Sequence, residues 1–193
     1  HAADMLNVNM ASIKLNQQIG EGASGIIYHA NWLDKKDSTA INSNPVAVKL
    51  SKGSITSDGY PLDELNSCLI AGQHPNLINV LAKIVQKDQL GLIMELIPES
   101  FSNLGLPPSL QTCTRDTFEK NTVFDLKTII KIALQLSSTM AHMHKQGISH
   151  GDVYAHNTMI NDDGKVLFGD FGAATNLVTL PILQQEAMAA IEV

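Results

Sequence analysis

Short strand-like apolar runs fill the first half of the chain, and helical periodicity takes over in the second half. Residues 13–19 and 26–32 read as two strands joined by Gly20-Glu21-Gly22-Ala23-Ser24-Gly25. Residues 35–44 are polar and turn-rich and read as a surface loop. Pro45-Val46-Ala47-Val48-Lys49-Leu50 is an apolar strand with one lysine inside it. A helix is expected over 61–71, opened by Pro61 and closed by Gly72. Residues 78–85 and 90–96 supply the last two strands of a five-stranded antiparallel sheet.

Residues 99–123, rich in Ser, Thr, Pro and Asn, form a connection long enough to be functional or disordered. Over 126–144 the apolar positions Leu126, Ile129, Ile130, Ala133, Leu136, Met140 and Met143 recur at threes and fours. Gly147 ends that helix. Residues 158–160 and 166–168 flank the turn Asn161-Asp162-Asp163-Gly164 and predict a small hairpin. A final helical run carries Leu180, Leu183, Ala187, Met188 and Ile191. The class is α+β in two lobes: residues 1–97 with the sheet and one helix, then a short, mostly helical part over 98–193. At 193 residues the chain suits one domain or two small lobes.

Charge and composition narrow the partners. Thirteen Lys and Arg against nineteen Asp and Glu leave a net charge of −6, which argues against a nucleic-acid footprint. No apolar run reaches the roughly 18–20 residues that span a bilayer, and the N-terminus lacks a signal peptide's regions. Cys68 and Cys113 form neither a disulfide framework nor a zinc pattern, so reduced thiols and a cytoplasmic setting are expected. There is no internal repeat. The chain starts at His1 rather than Met and reads as a fragment or a processed product.

The candidate chemistry has two centres. Glycines at 20, 22 and 25 let a hairpin lie close over phosphates with its N–H groups offered to the anion. The same glycine spacing occurs in dinucleotide sites, but here a strand follows it instead of a helix. Lys49, inside an apolar strand, needs a partner if it is buried. Of the acidic pair at the start of the following helix, Glu64 has the longer reach and is preferred over Asp63.

The second centre is Ser149-His150-Gly151-Asp152-Val153-Tyr154-Ala155-His156-Asn157 followed by Asp170-Phe171-Gly172. Two carboxylates and a carboxamide are oxygen ligands of the kind a hard divalent cation requires. One of the carboxylates then remains to orient a hydroxyl or take its proton. His142 and His144 sit two apart, cannot meet one metal from a helix, and read as packing or surface residues.

These motifs, with His74-Pro75-Asn76-Leu77 between them, resemble the eukaryotic-like protein kinases over nearly the whole chain. Val46-Ala47-Val48-Lys49, Thr56-Ser57-Asp58-Gly59-Tyr60-Pro61, Cys113-Thr114-Arg115-Asp116 and the His150–Asn157 stretch look more narrowly like a bacterial group. Some members of that group are fused to leucine-rich repeats, so a repeat domain outside this chain is one expected partner.

The resemblance implies transfer of the γ-phosphoryl group of ATP to a protein hydroxyl, with Mg2+ or Mn2+ as the metal. It implies that Gly20, Gly22, Ser24 and Gly25 cover the phosphates, that Lys49 holds the α- and β-phosphates, and that Glu64 orients Lys49. Met94 would line the adenine pocket, and backbone groups of Glu95 and Ile97 would meet the adenine edge. Asp152 would position the acceptor hydroxyl, with Asn157 and Asp170 on the metal. The chain is expected to act in its own cytoplasm or after delivery into a host cytosol.

Three departures stand out. Gly151 replaces the arginine that grips a phosphorylated activation loop. Tyr154 occupies a place where serine/threonine kinases usually carry a lysine, so His156 or a residue elsewhere supplies that charge or the rate suffers. Only 21 residues follow Gly172, so the lobe reads as minimal or truncated. His-Gly-Asp is also the pattern of small-molecule kinases such as aminoglycoside phosphotransferases, which keeps that enzyme class as an alternative. A nucleotide-binding pseudokinase is the other.

Overall fold

The computed structural model describes residues 5–22, 24–33, 43–53, 61–112 and 115–179. The loop at 34–42, the segment at 56–60, the pair Cys113 and Thr114, and the apolar run at 180–193 lie outside the described residues. The chain divides into two compact units. The first comprises residues up to 72 with Asn79–Ile97, and the second comprises Gln73–Ile78 with residues from 98 onward.

The first unit is an antiparallel sheet of β1 (Ile13–Glu21), β2 (Gly25–Leu33), β3 (Ser43–Ser51), β4 (Val80–Gln86) and β5 (Gln89–Met94), with α1 at Pro61–Ala71. Strand order is β1-β2-β3-β5-β4, so β3 is central, with β2 on one side and β5 on the other. Side chains alternate across a strand. Val46 and Val48 of β3 join Ile13, Ala30, Ala82, Ile84 and Ile93 in a core on one face. Lys49, one residue on, belongs to the opposite face, where α1 lies. Leu65, Cys68 and Leu69 of α1 are buried. The strands run one or two residues longer than expected at several ends, while β4 starts at Val80 instead of 78 and β5 stops at Met94 instead of 96. Ser43 and Asn44, read as loop, belong to β3.

The second unit holds β6 (Ser102–Asn103), α2 (Leu126–Lys145), β7 (Ile148–Ser149), β8 (Thr158–Ile160), β9 (Val166–Phe168) and β10 (Thr175–Asn176). Asp125 caps α2 by accepting the Thr128 N–H at 2.7 Å, and that bond holds its carboxyl below the usual range. α2 buries Ile132, Thr139, Met140 and Met143. The apolar positions expected to face the core do so only in part, since Leu126 is 72% exposed and Ile129 and Ile130 are each 49% exposed. The reason is that α2 is apolar over two adjoining stripes. Spacing by threes and fours marks both stripes alike, and the described residues cover only one of them.

Residues 73–78 pack within this second unit. Leu77 bridges to Phe168, and Asn76 donates both to Gln135 Oε1 and to the Val166 carbonyl, each at 2.8 Å. Gln135 also accepts from Val166 N at 2.9 Å and donates to the carbonyls of Lys131 and Gly164, which ties α2 to the β8–β9 hairpin. The His74 ring lies tilted, 5.1 Å from that of His142, and burial, with His142 beside it, holds His74 below the ordinary histidine range.

Candidate functional site

The first unit supplies a buried ion pair. Lys49, between Ile27 of β2 and Leu92 of β5, is covered on both flanks. Its ammonium meets Glu64 Oε1, with the two side chains only 12% and 7% exposed. Asp63, on the same turn of α1, is exposed. A cleft lined by Lys49, Ser51, Pro61, Glu64, Leu65, Gly91 and Leu92 opens beside the pair.

The glycines of the β1–β2 hairpin differ in what requires them. A Cβ on Gly25 would lie 2.6 Å from the Leu50 carbonyl oxygen, so close strand approach demands glycine there. Among the described residues nothing lies within 4 Å of a Cβ built on Gly22, so no steric contact there demands glycine. The Gly22 N–H donates to the Gly25 carbonyl at 2.9 Å and closes the hairpin. Ser24 is buried, and Glu21, exposed, is held below the usual carboxylate range by hydrogen bonds from Lys52 and then Gln18. Gly25→Ala is expected to destabilise the protein by about 1–3 kcal/mol through overpacking. Gly22→Ala should stay within about 0.5 kcal/mol. Chemical denaturation of the two variants checks the contrast.

At the end of β5, Met94 is half-buried and pairs with Ala47 and Val80. The Glu95 N–H is committed to the Asn79 carbonyl at 3.0 Å, and among the described residues no backbone N–H outside the strands and helices takes the Glu95 carbonyl. Among the described residues no partner takes the Ile97 N–H.

The second unit gathers the other predicted residues. Asn157 donates its amide protons to Asp152 Oδ2 at 2.6 Å and to the Asp152 carbonyl at 3.1 Å. Its Oδ1, the atom a hard cation seeks, therefore faces away from that pair. Thr158 pairs with Phe168 at the open end of the β8–β9 hairpin. The residues just outside that pair, Asn157 on one strand and Gly169-Asp170 on the other, consequently share one end. Asp170 sits at φ 59, a left-handed conformation uncommon for a residue with a side chain, and accepts from Gly172 N at 3.3 Å. The oxygen donor set of Asn157 and Asp170 fits a divalent cation.

Sequence reading did not assign a role to His150, which proves central. It is fully buried, accepts the Asp152 N–H on Nδ1 at 3.2 Å, and donates from Nε2 to the Gly169 carbonyl at 3.0 Å. One imidazole thus fixes the backbone before both acids, with Phe168 and Phe171 packed against its ring. Its place at the head of the His-Gly-Asp motif was the available signal.

Gly151 has a steric cause. It lies at φ 79, and a Cβ there would come 2.6 Å from the Ala173 carbonyl oxygen, so this backbone admits no arginine. Thr175 and Asn176 pair with Ser149 and Ile148 just beyond. Tyr154 and His156 stack on each other at 5.4 Å, with Tyr154 exposed.

A family model described as protein tyrosine and serine/threonine kinase matches residues 13–191. The chain is 29% identical over 171 residues to cyclin-dependent kinase 11.1 of Caenorhabditis elegans, covering 86% of this chain and 22% of that protein. It is 25% identical over 171 residues to fibroblast growth factor receptor 1 of Xenopus laevis, covering 84% and 21%. It is 29% identical over 164 residues to mitogen-activated protein kinase kinase kinase 3 of Arabidopsis thaliana, covering 84% and 23%. The chain thus spans between a fifth and a quarter of the length of these relatives.

Proposed function

Because the chain belongs to the protein tyrosine and serine/threonine kinase family, we propose that it transfers the γ-phosphoryl group of ATP to a Ser or Thr hydroxyl of a protein, with Tyr as the alternative acceptor. The observation that carries this reading is the Asp152–Asn157 lock, held to the Asp170 turn through His150. An acid and an amide fixed this way can orient a hydroxyl and a phosphate without reorganising during reaction.

In this reading Lys49 binds phosphate oxygens, and the hairpin glycines offer N–H groups to them. The open space beside Gly22, whose own N–H is taken by the Gly25 carbonyl, supports a close approach of phosphate to the hairpin backbone. The Glu95 carbonyl and the Ile97 N–H meet the adenine edge, next to Met94. Asp152 accepts the proton of the acceptor hydroxyl as its oxygen bonds to the γ-phosphorus. The bond from that phosphorus to the bridging oxygen breaks, and ADP leaves with the electron pair. A magnesium or manganese ion, held by Asn157 Oδ1 and the Asp170 carboxylate, would neutralise phosphate charge when bound.

Gly151 favours one second reading, a small-molecule phosphotransferase, since His-Gly-Asp is that class's pattern. The segments noted above support placement in a bacterial branch of the family, with a repeat domain elsewhere. Among the described residues no helix is long and apolar enough to cross a membrane.

The test is transfer from radiolabelled ATP with magnesium or manganese, offered protein and small-alcohol acceptors in parallel. Label on protein, absent with Asp152→Asn and Asp170→Asn, is the expected result. Label confined to the small alcohol would replace the protein acceptor with a small molecule. Nucleotide-dependent thermal stabilisation without any label would leave a binding module only.

A further inference from the structure

The long connection before α2 does more than join two elements, because it takes both backbone polar groups of Ala155. That residue lies between Asp152 and Asn157 and is buried. Its N–H donates to Asp116 Oδ1 at 2.8 Å, and its carbonyl accepts the Gly105 N–H at 3.0 Å. Gly105 comes so close that a Cβ there would meet Ala155 Cβ at 2.6 Å. On one side, Leu104 N donates to the Thr158 carbonyl at 2.8 Å, and β6 pairs with β8. On the other, Leu106 N donates to the Thr117 carbonyl at 2.8 Å, which folds the connection onto itself and brings Asp116 to the loop.

The stretch from 152 to 157 has no strand ladder of its own, so its shape depends on such outside partners. His150 Nδ1 takes the Asp152 N–H and Thr158 Oγ1 donates to the Tyr154 carbonyl, while Asp116 is the side chain that reaches Ala155 from the long connection. A carboxylate accepting a backbone N–H makes a charge-assisted bond, stronger than a neutral one. We propose that Asp116 is a positioning residue for phosphoryl transfer: by holding the Ala155 N–H it sets the turn over Ala155–Asn157 and, through it, the Asn157–Asp152 contact. The inference rests on the phosphoryl-transfer reading above.

The experiment compares Asp116→Ala and Asp116→Asn in the full chain, since asparagine keeps an Oδ1 acceptor in the same place. Asp116→Ala is expected to lower kcat by about 10- to 100-fold, as small misplacements of reacting groups do, with KM for ATP little changed. Asp116→Asn should restore most of the rate. Hydrogen exchange of the Ala155 amide, followed by NMR, should be slow in the wild type, fast in Asp116→Ala and slow again in Asp116→Asn. That readout needs no turnover, so a wild type that transfers no label sinks the kinase reading while the exchange pattern still judges the clamp. A wild-type kcat in Asp116→Ala, a loss of Tm without a loss of kcat, or failure of asparagine to rescue either readout overturns the proposal.

Discussion

Asp152→Asn is expected to lower kcat by about 10²–10⁴-fold, the usual contribution of a positioned general base, while leaving KM for ATP and Tm close to wild type. The substitution is close to isosteric. Asparagine at 152 can still present an oxygen to Asn157 Nδ2, which now meets Asp152 Oδ2 at 2.6 Å, and its backbone N–H still reaches His150. What it loses is the capacity to take a proton. Asp170→Asn is the matching variant for the metal position, and asparagine is preferred to alanine there. The φ of 59 at residue 170 is tolerated by Asn and Asp but strained for Ala, so an alanine variant would mix lost charge with lost fold. Initial rates of label transfer, with Tm measured with and without ATP, separate these effects. An Asp152→Asn enzyme keeping more than about a tenth of wild-type kcat would remove Asp152 from the role of base.

The features legible in the sequence share a local cause. α1 runs over Pro61–Ala71, as Pro61 and Gly72 mark it, and the β8–β9 hairpin follows from its Asn-Asp-Asp-Gly turn. Lys49 and Glu64, on neighbouring elements, were paired by the longer reach of Glu64 and by the kinase resemblance. What the sequence hid depends on contacts between distant residues. Asn76 reaches Gln135 and Val166, and Asp116 reaches Ala155, across separations of 59, 90 and 39 residues. A hydrogen bond of that kind leaves no periodicity behind. α2 shows the opposite failure, where a strong pattern exceeded what was used: its apolar arc is wider than the face that packs, so spacing could not choose between Ile129 and Ile132. Gly151 belongs to both classes. Its departure from the kinase pattern was visible, but the reason, the Ala173 carbonyl oxygen standing 2.6 Å from where a Cβ would be, needed the fold.

Lys49→Met should be the most destabilising of the substitutions considered, by about 3–5 kcal/mol, because it leaves a buried carboxylate without its partner. Glu64 is 7% exposed at the side chain, too little for water to replace the ammonium. Lys49→Met with Glu64→Leu is expected to recover most of that loss, since a buried ion pair replaced by apolar groups of similar volume is often neutral or better. The double variant should nonetheless remain inactive, as the ammonium proposed to bind the phosphate oxygens is gone. Urea denaturation of the two single variants and the double gives the coupling. That coupling also separates two explanations for the pair. If the ion pair existed for stability alone, the double variant would fold as well as the wild type and keep its rate. Recovery of stability without recovery of rate would mean that a charge expensive to bury is kept on the central strand because the reaction needs it there. A Lys49→Met protein as stable as the wild type would contradict the burial of Glu64 and, with it, the geometry from which the role of Lys49 is argued.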